Sequence, residues 1–335
     1  MNTQLPKFTF FLPVYNEEKR IVNCINSILN QDYPQDNIEI LVIDGGSIDK
    51  TKELASKYAC VRIFDNPLKL ADFGAKISAK EATGDLFVIF AADNELVGKD
   101  WLMTTALIFK KEPKNFALWG KMISSKQDPP LNRYYTLIQN DPLSFFINKN
   151  LKYYLKKSEV ELISGKKVYL FNVNPEKPLI WGANGLVYRT DIIKKIILQD
   201  SFLADNDVFQ IMLERGFIRV AYIPEPYIYH HHVKQIKEWV KKWKRNYVYH
   251  FLSKIEQRNL RWVFDKNFNK KLLAWIIYSG LPVFSVSHSI YLSFKDKTRY
   301  WLYHPIMNFV QMGTYLVLTI FTKEGRIFLK ARLLR

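Results

Sequence analysis

Three acidic clusters stand where apolar runs stop. Leu86 to Ala92 leads into Asp93-Asn94-Glu95, Ile38 to Ile43 leads into Asp44-Gly45-Gly46-Ser47, and Asp205-Asn206-Asp207 opens a stretch with helical spacing. A fourth polar cluster, Tyr229-His230-His231-His232, follows the run Ala221 to Pro226. A short apolar run without alternation suits a strand buried on both faces, as in a parallel sheet. Such sheets bind ligands beyond the carboxyl ends of their strands. A carboxylate at that edge can hold a hard divalent cation, which in turn holds phosphate oxygens. Starting a turn or capping a helix is the plainer use of the same residue. Gly45 and Gly46 let backbone approach a ligand, or simply make a tight turn. If the histidine segment is extended, His230 and His232 point one way and His231 the other. No cysteine or acid stands at local spacing from them, so a structural zinc site is not expected.

The elements that position these residues alternate. Lys7 to Leu12 reads as a strand stopped by Pro13. A helix over Glu17 to Asn30 puts Ile21, Cys24, Ile25, Ile28 and Leu29 on one face, with Asn16 as N-cap. Ile38 to Ile43 is a second strand, and Ser47 can cap a helix running to Tyr58. Val61 to Phe64, a helix over Ala71 to Ala82 ended by Gly84, and the strand Leu86 to Ala91 follow. Beyond them come a helix from Trp101 to Lys110 and a strand from Phe116 to Ser124. Asp128 to Asn174 has no clear period, and helices or a lid are expected there, with Tyr134 and Tyr135 as packing residues. Leu186 to Tyr188 and Ala221 to Pro226 read as strands, and Val208 to Arg215 as a helix. Strands alternating with helices argue an α/β protein with a doubly wound parallel sheet.

Charge divides the 335 residues unevenly. Residues 226–335 hold 20 Lys and Arg against 5 Asp and Glu, a net +15, whereas residues 1–225 hold 29 against 27, a net +2. A basic tail on a nearly neutral body points to an anionic surface. Leu272 to Phe294 and Tyr300 to Thr322 each run 23 residues without Lys, Arg, Asp or Glu. Each reaches the roughly 20 residues that cross a bilayer. Tyr, Trp and basic residues flank both, as at a membrane interface. Pro282, Pro305 and the basic loop Lys295 to Arg299 leave two spans, a re-entrant hairpin and interfacial helices open. Long apolar surface of this kind excludes nucleic acid as the expected partner. Cys24 and Cys60 give no disulfide framework, which suits a reducing compartment, and the start of the chain does not read as a signal peptide.

Four stretches resemble the family-2 inverting glycosyltransferases of the GT-A fold, in a membrane-associated bacterial form: PVYNEE at 13–18, IDGGSIDKT at 43–51, ATGDLFVIFAADN at 82–94 and ADNDVFQIMLERGFIRVAYIPE at 204–225. The resemblance covers roughly residues 7–232. It implies a mixed, mostly parallel sheet flanked by helices over residues 1–232, with a nucleotide-binding part to about 125 and an acceptor part from 126. A basic helical region would follow over 233–335, its apolar segments at 272–294 and 300–322. It also implies hexosyl transfer from a nucleotide sugar, with a UDP-sugar expected, to a lipid-linked saccharide, polyprenyl phosphate or nascent surface glycan. The reaction would use Mg2+ or Mn2+ at the cytoplasmic face of the cell membrane. Pro13, Tyr15, Glu17 and Asp44 would edge the nucleotide pocket, and Glu17 is otherwise an ordinary first-turn helix acid. Asp93 would hold metal and donor, with His230 and His232 completing the metal shell or packing in the core. Gly182 would line the donor sugar beside Trp181, or belong to a plain β-turn. Lys76 and Arg245 could reach the diphosphate, and a solvated lysine serves equally for Lys76. Asp205 falls at the catalytic-base position, with Asp207 as second choice.

The sequence departs from the family pattern at three places. Ala91 replaces the first acid of the metal motif, Ala204 replaces the acid before Asp205, and the Ala-Arg-Asn triplet before the third helix is missing. The first two departures motivate an alternative, a GT-A scaffold of a glycan-assembly complex that has lost its chemistry. QRNLRW at 257–262 looks like a processive-synthase signature but is one residue too long and far from Asp205. A nucleotidyltransferase would need an early Gly-rich phosphate loop with Lys or Arg, which the sequence lacks.

Overall fold

The computed structural model describes residues 4–147, 150–177, 179, 184–198, 205–257 and 266–333. They fall into two compact units, residues 1–123 with 150–230, and residues 124–149 with 231–335.

The first unit is built on one mixed sheet. Its strands are β1 (Phe8–Val14), β2 (Ile38–Asp44), β3 (Val61–Asp65), β4 (Leu86–Ile89), β5 (Asn94–Leu96), β6 (Ala117–Ile123), β7 (Glu159–Ile163), β8 (Lys166–Asn172), β9 (Leu186–Arg189) and β10 (Arg219–His230). They lie in the order β3-β2-β1-β4-β9-β6-β10-β8-β7, with β5 on β10. The first four in that order are mutually parallel. β9 runs antiparallel between β4 and β6, and β10 runs parallel to β6. It follows that β1, β2, β4 and β10 all have their carboxyl ends on one edge. Phe8, Phe10 and Leu12 of β1 pack on one face of the sheet with α1 (Ile21–Leu29) and α4 (Trp101–Lys111). Phe11, Leu41 and Ile43 pack on the other with α3 (Ala71–Glu81), α8 (Thr190–Ile197) and α9 (Asp205–Glu214). Burial on both faces is why these strands read as unbroken apolar runs.

Several local expectations change. β1 does not stop at Pro13, which pairs with Ile43 in the parallel ladder. Pairing with β4 ends at Phe11, so the missing Pro13 N–H faces no partner strand. Asn16 is not a helix cap: at φ 55 it turns toward the neighbouring loop, and α1 begins only at Ile21. Ser47 caps no helix either, and α2 is the short Thr51–Ala55. β10 extends two residues before and four after the apolar core expected at 221–226, because three strands pair along it. The unreadable stretch after Asp128 contains the hairpin β7–β8 as well as helices.

The second unit is helical: α5 (Pro130–Ile138), α6 (Pro142–Ile147), α10 (Ile236–Arg245), α11 (Lys266–Gly280), α12 (Pro282–Lys295), α13 (His304–Phe321) and α14 (Lys323–Leu333); α7 (Asn150–Lys157) belongs to the first unit. The helix expected from Val233 to His250 is α10 alone, continued by a π-turn at Asn246–Phe251. Tyr134, Tyr135, Trp239, Trp243 and Trp301 form its core, so Tyr134 and Tyr135 pack as expected. Among the described residues no single helix is long and apolar enough to cross a membrane. Two helix pairs, Asn267–Gly280 with Pro282–Lys295 and Arg299–Phe321 with Lys323–Ala331, reach that length only together and bend by 86° and 87°.

Candidate active site

The first unit gathers polar groups on the edge where β1, β2, β4 and β10 end. Two loops there are tied to each other. The Asn16 amide donates to Ser47 Oγ at 2.9 Å and the Ile48 amide to Asn16 Oδ1 at 2.9 Å. The Glu17 amide donates to Thr51 Oγ1 at 2.8 Å and the Glu18 amide to Asp49 Oδ2 at 3.1 Å. Against the upward pull of desolvation, hydrogen bonds from Thr51 and the Glu18 amide hold the Asp49 carboxyl below its usual range. Buried Asp44 organises the second loop from within. Its carboxylate accepts from the Gly46 amide at 3.0 Å, the Ser47 amide at 2.9 Å and the Ser47 hydroxyl. Gly46, at φ 86, makes that turn.

Asp93 follows β4 and faces the end of β10. Its Oδ2 lies 3.6 Å from Nε2 of His230, which is 1% exposed. The same Nε2 is 3.0 Å from Asn184 Nδ2, and Asn184 Oδ1 accepts from Asn94 Nδ2 at 3.0 Å. Asn184 precedes Gly185, whose φ of 73 disfavours other residues and whose added Cβ would displace the end of the Ile228 side chain. This polar chain holds the imidazole in one orientation, with the Asn184 N–H on the Nε2 lone pair that a metal ion would take over. Carboxylate oxygen and imidazole nitrogen form a donor pair that suits Mn2+, or Mg2+ through the carboxylate. Beneath the edge, Cys24 lies 3.6 Å from the Ala91 carbonyl; burial first, then the charges of Asp93, Glu95 and Glu17, push its thiol up. One buried thiol thus feels the carboxylates of both the β1 loop and the β4 turn.

Tyr15 is exposed, with Lys69 Nζ 5.7 Å from its ring centre. Lys76 lies half-buried on α3, and Pro13 sits in β1 beside the locked loops. Asp205, of which the backbone alone is described, opens α9, and Asp207 in its first turn is buried. Trp181, Gly182 and Ala204 lie outside the described residues, as do 258–262 of QRNLRW. Arg245 ends α10 in the second unit. The strand ends at His230. In the second unit, His231 Nδ1 is 2.7 Å from Asp128 Oδ1, and His232 stacks on Tyr135 with centroids 4.4 Å apart.

Sequence reasoning missed Asn184 and the loop clamp of Asn16, Ser47, Asp49 and Thr51. Asn184 was visible as the one amide side chain in Trp181-Gly182-Ala183-Asn184-Gly185, and Asp49 and Thr51 stand inside the Ile43 to Thr51 motif.

Comparison with known proteins fits this arrangement. Residues 9–175 match the family model for glycosyl transferase family 2. The chain is 34% identical over 146 residues to dolichyl N-acetyl-alpha-D-glucosaminyl phosphate 3-beta-D-2,3-diacetamido-2,3-dideoxy-beta-D-glucuronosyltransferase of Methanococcus voltae, which covers 41% of this chain and 45% of the relative. It is 25% identical over 266 residues to the O-antigen chain rhamnosyltransferase RfbN of Salmonella typhimurium, covering 76% of this chain and 75% of that one. The chain spans less than half the length of the first curated relatives it matches. Mannosyltransferase PcManGT from Pyrobaculum calidifontis, solved with GDP-Man and Mn2+, superposes with a TM-score of 0.56 at 17% identity over 96% of this chain and 89% of that one, a likeness of fold. With its mixed GT-A sheet and the match over residues 9–175, the chain belongs to glycosyl transferase family 2.

Proposed function

We propose that the chain transfers a sugar from a nucleotide-sugar donor, a UDP-sugar first, to a lipid-linked saccharide, polyprenyl phosphate or nascent surface glycan. It would act with inversion at the cytoplasmic face of the membrane. The observation that carries this reading is the pairing of Asp93 with buried His230 on the sheet edge where the two locked loops end. The relatives' names support the acceptor class: a dolichyl-linked phosphate sugar in one and an O-antigen chain in another.

In this reading Pro13, Tyr15, Glu17 and the Asp44 loop seat the nucleotide, and Gly182 borders the sugar. Asp44 acts on the base mainly by fixing the loop around it, since Gly46 and Ser47 already occupy its carboxylate. Lys76 and Arg245 are the cations proposed for the diphosphate. Asp205, with Asp207 as second choice, accepts the proton of the acceptor hydroxyl as that oxygen attacks the anomeric carbon. Asp93 and His230 are the donors proposed for Mg2+ or Mn2+, with His232 two residues on as the third expected from the sequence. A cation held there would offset charge growing on the leaving diphosphate.

A panel of nucleotide sugars incubated with membrane lipid extract tests the reading, with product detected by mass. Asp93→Ala and Asp205→Asn should each lower turnover at least about a hundredfold. Asp205→Asn should leave donor binding nearly intact, and loss of binding there would remove it as the base. Titration of UDP with and without Mn2+ separates the enzyme from a scaffold that keeps only the fold: a scaffold with a degenerate site gains nothing from the metal.

A further inference from the structure

Helices α11 to α13 bury polar side chains beside Trp275, Leu292 and Met307, and expose large apolar ones. Their buried positions include Ser279, Ser285, Ser289, His304, Asn308 and Gln311, each 1% exposed or less. All but Ser279, whose hydroxyl has no partner among the described residues, are partnered within the unit. Ser289 Oγ donates to the Trp301 carbonyl at 2.6 Å, and Trp275 Nε1 to Asn308 Oδ1 at 2.8 Å. Tyr134 Oη lies 2.8 Å from His304 Nδ1, and Gln311 Nε2 donates to Asp141 Oδ1 at 2.8 Å. The opposite positions carry large apolar side chains: Val283, Phe284, Phe294, Phe309, Val317 and Phe321 are between 51% and 80% exposed. In water this arrangement is upside down, because apolar surface of such extent is normally buried. In hydrocarbon it is the expected one: polar groups must be satisfied inside and apolar side chains can face outward.

Charge names the occupant. Residues 266–333 hold ten Lys and Arg against two acids, and they gather at helix ends: Lys270 and Lys271 before the apolar part of α11, Lys295, Lys297 and Arg299 between α12 and α13, Lys323 and Arg326 after α13. A rim of cations around an apolar face fits anionic lipid headgroups over acyl chains. Length sets the mode. α13 has 18 residues, about 27 Å, short of the roughly 30 Å hydrocarbon core. α11 with α12 and α13 with α14 turn by 86° and 87° where they meet. Crossing would also carry the basic junction at 295–299 to the far side.

We propose that α11 to α14 insert their outer face into one leaflet of an anionic bilayer without crossing it. This deepens the membrane part of the function proposed above and is independent of its chemistry. The test uses the full chain, kept in mild detergent and then mixed with vesicles of phosphatidylcholine with or without phosphatidylglycerol. The protein should float with the mixed vesicles and stay bound through a high-salt wash. The combined variant Phe284→Ser, Phe294→Ser, Phe309→Ser and Phe321→Ser should lose roughly a hundredfold or more in partitioning. Its UDP affinity and its helix content by circular dichroism should be unchanged and show that it folds. Lys297→Cys in a Cys60→Ser background should react fully with a membrane-impermeant maleimide added outside the vesicles. Protection of that cysteine would overturn the one-leaflet mode in favour of crossing. A wild-type protein that ignores vesicles, or pairs into a dimer that the four substitutions dissolve, would overturn the lipid partner. Failure of UDP binding with flotation intact would count against the transferase reading alone.

Discussion

Asn184 is the residue on which the orientation of His230 depends. It sits between Asn94 and the His230 imidazole, so it fixes which way the ring nitrogen faces Asp93. Because its N–H occupies the Nε2 lone pair that a metal ion would take, Asn184→Ala should tighten Mn2+ binding roughly fivefold, read by metal titration, while the fold survives. Glu39 gives a pH-dependent counterpart. Its carboxylate accepts from Thr9 Oγ1 at 2.6 Å, the Thr83 amide at 2.9 Å and Arg62 at 2.7 Å. Burial works to raise its pKa, but the hydrogen bonds from Thr9, Thr83 and Arg62 prevail and hold it below the usual carboxylate range. The unfolded chain thus binds the proton first. The stabilisation is whole above the ordinary glutamate value near 4.5 and is lost as pH falls below it toward the folded-state value. Glu39→Gln should cost about 2 kcal/mol at neutral pH and flatten the acid limb of a denaturation series, a difference that vanishes in strong acid. None of this was legible beforehand. A lone acid inside IEILVI looks like an interruption of a strand, and its partners lie 23 to 44 residues away.

At the scale of elements, β1, β2 and β4 were readable because they are buried on both faces, so their side chains carry no alternation to misread. The loops were harder. Asn16 and Ser47 are good caps by type, and capping propensity was the only local signal. Their partners are instead each other's loops, a tertiary pairing over 31 and 32 positions. Ser47→Ala removes one donor and one acceptor from that clamp. It should cost about 1 kcal/mol in chemical denaturation and raise the donor dissociation constant through a looser loop. Gly185→Ala should be worse. It sets a methyl group against Ile228 at a left-handed φ, which should cost about 1–3 kcal/mol. A scan of thermal midpoints across both variants orders them. The hairpin β7–β8 stayed hidden because its outer strand is half exposed, with Val160 and Leu162 facing solvent, and lacks a clean period.

At the scale of the molecule, the charge step near residue 226 foretold that the chain's two ends differ. It did not foretell that residues 124–149 join the helical unit, since Tyr134 and Tyr135 find their aromatic partners a hundred or more residues later. The apolar runs at 272–294 and 300–322 were read from hydropathy, which counts residues and is blind to bends. The break at Leu281 divides the first run between α11 and α12, and the second run holds a 3-10 turn at Arg299–Tyr303 and the 18-residue α13 before the chain bends at Thr322. The exposed phenylalanines of both runs have one more consequence. A body wedged into one leaflet enlarges that leaflet and not the other, so the sheet of lipid it enters prefers to bow outward. Partitioning should then be tighter on small, sharply rounded vesicles than on large flat ones of equal composition, and this chain would gather wherever the envelope curves.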